Sequence, residues 1–242
     1  MPELKLDKGL RDSLDDFVKG LQEAGKENLI SVILYGSAAS GEYVRKHSNL
    51  NLLVVLKDAN LEGLEKFCGL INRWKFRGIN PLFFSADYIR GSTDVFPIEF
   101  LDMKENHALL YGEDALKDLV IETGNLRFQC EQELKVKLIS LRHFFLRNNK
   151  DRAALSRYLF KTFNSVMHIL RNVLRIKGGG APYLKQDILK DVSSQFHIDR
   201  HTWEEILAAK NADIRLSLKE VRALFIGYIS DLERITDTLD KP

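Results

Sequence analysis

A chain of 242 residues, 45% apolar and 29% charged, can bury a core as one large domain or two modest ones, and has an ordinary globular composition. No run approaches the ~18 apolar residues of a membrane span, and the N-terminal MPELKLDKGLRDSLDDF lacks a signal peptide's apolar centre, so a soluble cytoplasmic protein is expected. The formal net charge of +2 hides a split: between Leu134 and Lys177 eleven Lys or Arg stand against one acid, Asp151, which makes that segment +10 and leaves −8 for the rest. Such an asymmetry predicts one surface that meets an anion.

The apolar positions Leu10, Leu14, Phe17, Val18 and Leu21 recur at helical spacing. LISVILYG then reads as a buried strand stopped by Gly36. NLLVVLK is a second strand, apolar almost throughout and therefore expected to be covered on both faces. A helix is predicted from Asn60 to about Arg77, with Asn60 as N-cap. PLFFS, FPIEFLDM and HALLYG are three further strand candidates. Helix and strand thus alternate over residues 1–123, which predicts a small α/β domain. After ETGN only helical patterns remain, marked by Leu134 to Phe145, Leu155 to Val173, Leu184 to Phe196, Thr202 to Lys210 and Ser217 to Leu239. Residues 124–242 are accordingly read as an all-α bundle. KGGGAPY breaks the second of these helices, because three glycines and a proline continue a helix at high cost.

The stretch LYGSAASGEYVRKHSNLNLLVVL, Leu34 to Leu56, carries more than secondary structure. A strand runs into Gly36-Ser37, a short helix ends at Gly41-Glu42, and Ser48-Asn49-Leu50-Asn51-Leu52 leads into the next strand. This resembles the core motif of the DNA polymerase β-like nucleotidyltransferase superfamily, in which Gly-Ser, a helix ending in Gly-Glu and Ser-Asp-x-Asp-Leu follow one another. Gly36, Ser37, Gly41, Glu42, Ser48, Leu50 and Leu52 fall where that pattern has them. The resemblance implies a nucleotidyltransferase-like α/β (α+β) mixed sheet with flanking helices, followed by the helical bundle. It also implies a nucleotide ligand and Mg²⁺.

Glycine lets a backbone approach a phosphate closely, and Ser37 adds a hydroxyl donor. An isolated Gly-Ser reads as the end of a strand and a helix cap. In register with the residues that follow, it reads as a phosphate-binding turn.

Asn49 and Asn51 stand where the family has its metal-binding aspartates. Two-metal nucleotidyl transfer needs carboxylates around hard divalent ions. Alternation along a strand puts both asparagines on one face, yet two negative charges are missing and a neutral amide is no base. Their loss also lessens repulsion toward a metal-free triphosphate. The family's third carboxylate comes from a neighbouring strand; Glu99 in FPIEFLDM is the candidate, ahead of Asp102, and PLFFS contributes no acid.

On a helical wheel Arg157, Lys161, Asn164, His168, Arg171 and Arg175 fall in a stripe about 80° wide, opposite Leu155, Leu159, Phe163, Val166, Leu170, Val173 and Leu174. Solvated helix faces normally mix charge signs, whereas no acid occurs from Arg152 to Gln186. In two-domain nucleotidyltransferases the helical domain faces the active-site cleft, so the resemblance implies that Arg157, Lys161, Arg171 and Arg175 complete a phosphate site. An acidic protein or a nucleic acid is the other anion to consider, with Tyr158 and Phe160 as stacking partners.

Other chemistry finds little footing. The six histidines, His47, His107, His143, His168, His197 and His201, show no ligand spacing, and Cys68 and Cys130 form neither a metal motif nor a disulfide framework. There is no GxxxxGK[ST], GxGxxG or GxSxG, and no Arg-x₄₋₆-His nuclease spacing. Three readings remain: a catalytically degenerate member that binds a nucleotide, an active nucleotidyltransferase acting on a small molecule, protein or RNA, and an interaction module that docks an acidic partner.

Overall fold

The computed structural model describes residues 6–40, 49–75, 78–178, 181–182, 184–212 and 214–240. The chain divides into two compact units, Met1–Glu122 and Thr123–Pro242.

The first unit is built on a four-stranded sheet of order β3-β2-β1-β4, with β1 Leu29–Tyr35, β2 Leu50–Leu56, β3 Ile79–Ser85 and β4 His107–Gly112. β1 pairs antiparallel with β2 and β4, and β2 pairs parallel with β3. Both faces are covered, as the nearly unbroken apolar run of β2 requires. On one face Val32, Leu34, Leu52 and Val54 pack beneath α1 (Lys8–Gly25) and α3 (Leu61–Trp74), through Leu14, Phe17, Leu21 and Phe67. On the other, Ile33, Leu53 and Val55 meet Ile89 of α4 (Ala86–Gly91) and Phe100 and Met103 of α5 (Pro97–Glu105). Asn60 caps α3 by accepting from the Gly63 N–H at 2.7 Å.

FPIEFLDM is not a strand. It forms α5, which begins with Pro97 in its first turn and buries Pro97, Ile98, Phe100 and Met103. Proline at a first helical position is pre-set for that conformation, and the Glu, Leu, Met and Lys that follow are good helix formers. Glu99 and Asp102, expected on opposite faces of a strand, lie three apart on this helix and so on the same side.

The second unit consists of α6 Thr123–Asn148, α7 Arg152–Ile176, α8 Lys185–Phe196, α9 Arg200–Asn211 and α10 Leu218–Asp240. α6 starts eleven residues before the periodic run that announced it at Leu134. α7 lies against all four others. Phe163 of α7, Trp203 of α9 and Tyr228 of α10 meet at its centre, with ring centroids 5.9 Å and 4.7 Å apart in successive pairs Phe163–Trp203 and Trp203–Tyr228. Among the described residues no helix is long and apolar enough to cross a membrane.

Candidate functional site

β1 ends at Tyr35, and Gly36 takes φ +74°, a left-handed conformation that costs other residues roughly 1–2 kcal/mol. The N–H groups of Ala39 and Ser40 both donate to the Gly36 carbonyl at 3.0 Å, closing a tight turn into the short α2, Ser37–Ser40. Ala38, 1% exposed, pins that turn into the core. A Cβ on Gly36 would lie 3.3 Å from Asn51 Nδ2, so the glycine also makes room for the asparagine. The remaining motif positions Gly41, Glu42 and Ser48, and His47, lie outside the described residues.

The sheet registers align a row of side chains at this end. Asn80 of β3 is opposite Asn51 of β2, Asn51 is opposite Tyr35 of β1, and Tyr35 is opposite His107 of β4. Asn80 Nδ2 donates to Asn51 Oδ1 at 3.4 Å. Asn49 sits two residues before Asn51, where strand alternation returns it to the same face. The Leu50 N–H donates to Gly78 O at 2.7 Å, and a Cβ on Gly78 would stand 3.9 Å from Asn49 Oδ1. Three asparagines are therefore gathered beside the Gly36-Ser37 turn. Asn51 is half-buried, and Asn49 and Asn80 are exposed.

Glu99 is not on the neighbouring strand. It is exposed in the first turn of α5, and the residue that adjoins Asn51 on the next strand is Asn80. Reading PLFFS for an acid missed Asn80 because it precedes Pro81, and only the parallel register shows which residue meets Asn51. Among the described residues no group of three or more His, Cys, Asp or Glu side chains is placed to hold a metal ion.

The rest of the row is less open to a ligand. Burial raises the Tyr35 hydroxyl above its ordinary pKa. Both His107 ring nitrogens are engaged, Nδ1 with Lys104 O at 2.9 Å and Nε2 with Asp114 Oδ2 at 3.1 Å. A cavity of about 620 Å³, lined by Ile30, Arg90, Glu113 and Asp118, lies by the opposite end of β1 from Gly36.

In the helical unit the basic stripe divides in two. Arg157, Lys161, Asn164 and His168 are exposed on α7, and among the described residues no carboxylate pairs with Arg157 or Lys161. Arg171 is instead buried, 6% exposed, with Nε donating to Ala181 O at 3.4 Å. Arg175, half-buried, donates to Asn172 Oδ1. Every residue from Ile169 to Leu174 is buried, so the wheel loses its polar side at this end of α7. Tyr158 is stacked on Phe144 of α6, with centroids 3.9 Å apart and rings within 4° of parallel, which takes up one of its faces.

Two lysines that the wheel did not include join the exposed half. Lys210 of α9 donates to Asn164 Oδ1 at 3.0 Å. Desolvation, and then the charge of Lys185 on α8, lower the pKa of Lys210. Neither lysine lies on α7, so no periodicity in one helix would have brought them together.

The mixed sheet with its flanking helices, followed by a helical C-terminal region, is a nucleotidyltransferase-like α/β fold. Among the solved structures it resembles is spectinomycin adenyltransferase AAD(9) from Enterococcus faecialis, crystallised with ATP and spectinomycin. The match has a TM-score of 0.60 and 14% sequence identity, and covers 92% of this chain and 99% of that one. At that identity the likeness is one of fold. No family model matches the sequence, and no curated protein matches it by sequence.

Proposed function

We propose that the chain binds a nucleotide or related phosphate compound at the Gly36-Ser37 turn, and transfers little or nothing from it. The observation that carries this reading is the pairing of Asn51 with Asn80 across β2 and β3. With Asn49 they give three neutral amides beside the turn. Amide oxygens are weak ligands for Mg²⁺, which is held mainly through carboxylate and phosphate oxygens, so this donor set does not suit the ion that the fold family implies. No amide can take a proton from an attacking hydroxyl.

Binding tolerates this change better than catalysis does. A carboxylate ~6 Å from a phosphate charge costs about 3 kcal/mol at an effective dielectric constant near 20. Amides remove that repulsion and offer N–H donors. The exposed Arg157 and Lys161 supply positive charge in the helical unit, and Arg171 and Arg175 order the end of the same helix.

Calorimetric titration with ATP, GTP, CTP and UTP, each with and without Mg²⁺, tests this reading. Binding without Mg²⁺ and without turnover is the expected result. Binding that requires Mg²⁺, followed by turnover, would replace it with an active nucleotidyltransferase that moves a nucleotide monophosphate onto a small molecule, protein or RNA. The likeness to an adenyltransferase crystallised with ATP favours that second reading. A complete absence of nucleotide binding would leave the third, an interaction module whose exposed Arg157 and Lys161 dock an acidic protein or a nucleic acid.

A further inference from the structure

The side-chain amide of Asn51 faces two ways. Its strand, β2, lies between β3 and β1, and β1 leads into the Gly36 turn. On the β3 side Asn51 Oδ1 accepts from Asn80 Nδ2 at 3.4 Å. On the other side Asn51 Nδ2 lies 3.3 Å from the position a Cβ would take on Gly36. Asn49 also turns its oxygen toward β3, with Oδ1 3.9 Å from the Cβ position of Gly78, the residue just before that strand. Oxygen is the atom of an amide that ligates a hard cation, whereas the nitrogen carries two N–H donors. Asn51 therefore presents a hydrogen-bond donor to the turn, at a place where a metal site needs an acceptor.

We infer that the site selects nucleotides that carry no Mg²⁺, and that its ligand is a nucleoside monophosphate rather than a triphosphate. This rests on the reading that the Gly36-Ser37 turn holds a phosphate. N–H donors suit bare phosphate oxygens. A phosphate that arrived with Mg²⁺ would bring a cation against the partial positive charge of the Asn51 amide nitrogen, and the three asparagines offer no carboxylate to offset it. A triphosphate chelates Mg²⁺ between neighbouring phosphates and keeps it, whereas a monophosphate holds the ion weakly. Selection against the ion is thereby selection between these two classes of nucleotide. Asn80 is the positioning residue: by engaging Asn51 Oδ1 it keeps the oxygen on the β3 side and the nitrogen toward the turn.

Calorimetric titration with AMP, GMP, CMP and UMP beside the four triphosphates, each without Mg²⁺ and with the ion in excess, tests the inference. A monophosphate is expected to bind equally well in both conditions. The matching triphosphate is expected to weaken at least ~10-fold when Mg²⁺ is added, the loss of about one charge-assisted hydrogen bond. Asn80→Leu removes the donor that holds Asn51 and should shrink that Mg²⁺ effect. Asn80→Asp offers Asn51 Nδ2 an acceptor, draws the nitrogen toward β3, and should make triphosphate binding tighter with Mg²⁺ than without. Asn80 is exposed, so Asn80→Leu should leave the melting curve unchanged, which separates positioning from stability. Three outcomes would overturn the inference and leave the nucleotide site standing: triphosphate that binds the unmodified chain more tightly with Mg²⁺, triphosphate that binds where no monophosphate does, or a Mg²⁺ effect in Asn80→Leu equal to the parent's. Absence of binding by every nucleotide would overturn the phosphate-turn reading, and the inference with it.

Discussion

Asn51 and Asn80 are direct partners in the parallel register of β2 and β3, and the amide of Asn80 reaches Asn51 Oδ1 at 3.4 Å. With Asn49 they place three neutral amides, among the described residues, at the end of β2 and β3 beside the Gly36 turn. Carboxylates at Asn49 and Asn51 alone leave the β3 position an amide. The triple variant Asn49→Asp, Asn51→Asp, Asn80→Asp should therefore respond to Mg²⁺ more strongly than the double one. A thermal melt reads this directly. Mg²⁺ at ~100 times its dissociation constant would add about 2.7 kcal/mol, a shift of several degrees, while the unmodified chain should not shift. A triple variant indifferent to Mg²⁺ would mean that these three positions do not converge on one ion.

Two glycines should respond to the same substitution with opposite signs. Gly36 has φ +74° and sits where a Cβ would press on Asn51 Nδ2 at 3.3 Å. Gly36→Ala should cost about 1–2 kcal/mol in urea denaturation and displace Asn51 as well. Gly69 is exposed within α3 with nothing within 4 Å of its Cβ position. Gly69→Ala should stabilise the chain by about 1 kcal/mol. Loss of nucleotide binding in Gly36→Ala, with binding kept in Gly69→Ala, would separate the turn's role in the ligand site from general stability.

Much of this architecture was legible in the residues, because periodicity reports burial. β2 was recognisable as a strand covered on both faces from its apolar run, and the Asn60 cap and the five C-terminal helices, apart from the first eleven residues of α6, followed from local pattern. FPIEFLDM misled because its apolar residues suit either period, and the proline that opens a helix also reads as a strand edge. Asn80 was invisible for another reason. No local signal reports which residue of β3 lies beside Asn51; that information exists only in the register. The same holds for Arg171, whose place on the wheel was polar but whose surroundings, set by the chain around Ala181, are not.

Asp231 is 3% exposed and accepts from Trp203 Nε1 at 2.9 Å and from the Asp199 N–H at 3.3 Å. Asp231→Ala would leave the indole N–H without its acceptor in the core and should cost about 3 kcal/mol. Asp231→Asn keeps one carbonyl oxygen and should cost less. Trp74→Phe as background leaves Trp203 as the sole indole reporter, so the loss can be followed by fluorescence during denaturation. Equal stability of Asp231→Ala and the parent would show that this network contributes nothing.

Asp199 caps α9, accepting from the His201 N–H at 3.1 Å and from Thr202 Oγ1 at 2.7 Å. The Thr202 bond is the main cause that lowers its pKa from the ordinary 3.8. A carboxylate depressed by folding contributes stability that is complete above its unfolded pKa and fades as pH falls through the folded value. Thr202→Val should therefore be less stable than the parent at pH ~7, by under about 1 kcal/mol for so exposed a group. The gap should begin to narrow as pH falls below ~4 and close once the lowered folded value is passed. Urea denaturation at pH ~7 and pH ~3 checks the sign, and a gap that widened in acid would contradict it.

The two halves of the α7 stripe should separate under mutation. Arg157 and Lys161 are exposed, so replacing both with alanine should change stability by no more than about 0.5 kcal/mol. If the helical unit helps to hold the phosphates, the same double variant should bind ATP roughly tenfold more weakly in calorimetry. Arg171 is buried and reaches Ala181 O. Arg171→Ala should cost about 2 kcal/mol by losing packing along its stem and stranding that carbonyl. Unchanged ATP affinity in the exposed pair would remove the helical unit from the nucleotide site and leave the Gly36-Ser37 turn and its three asparagines to hold the ligand alone.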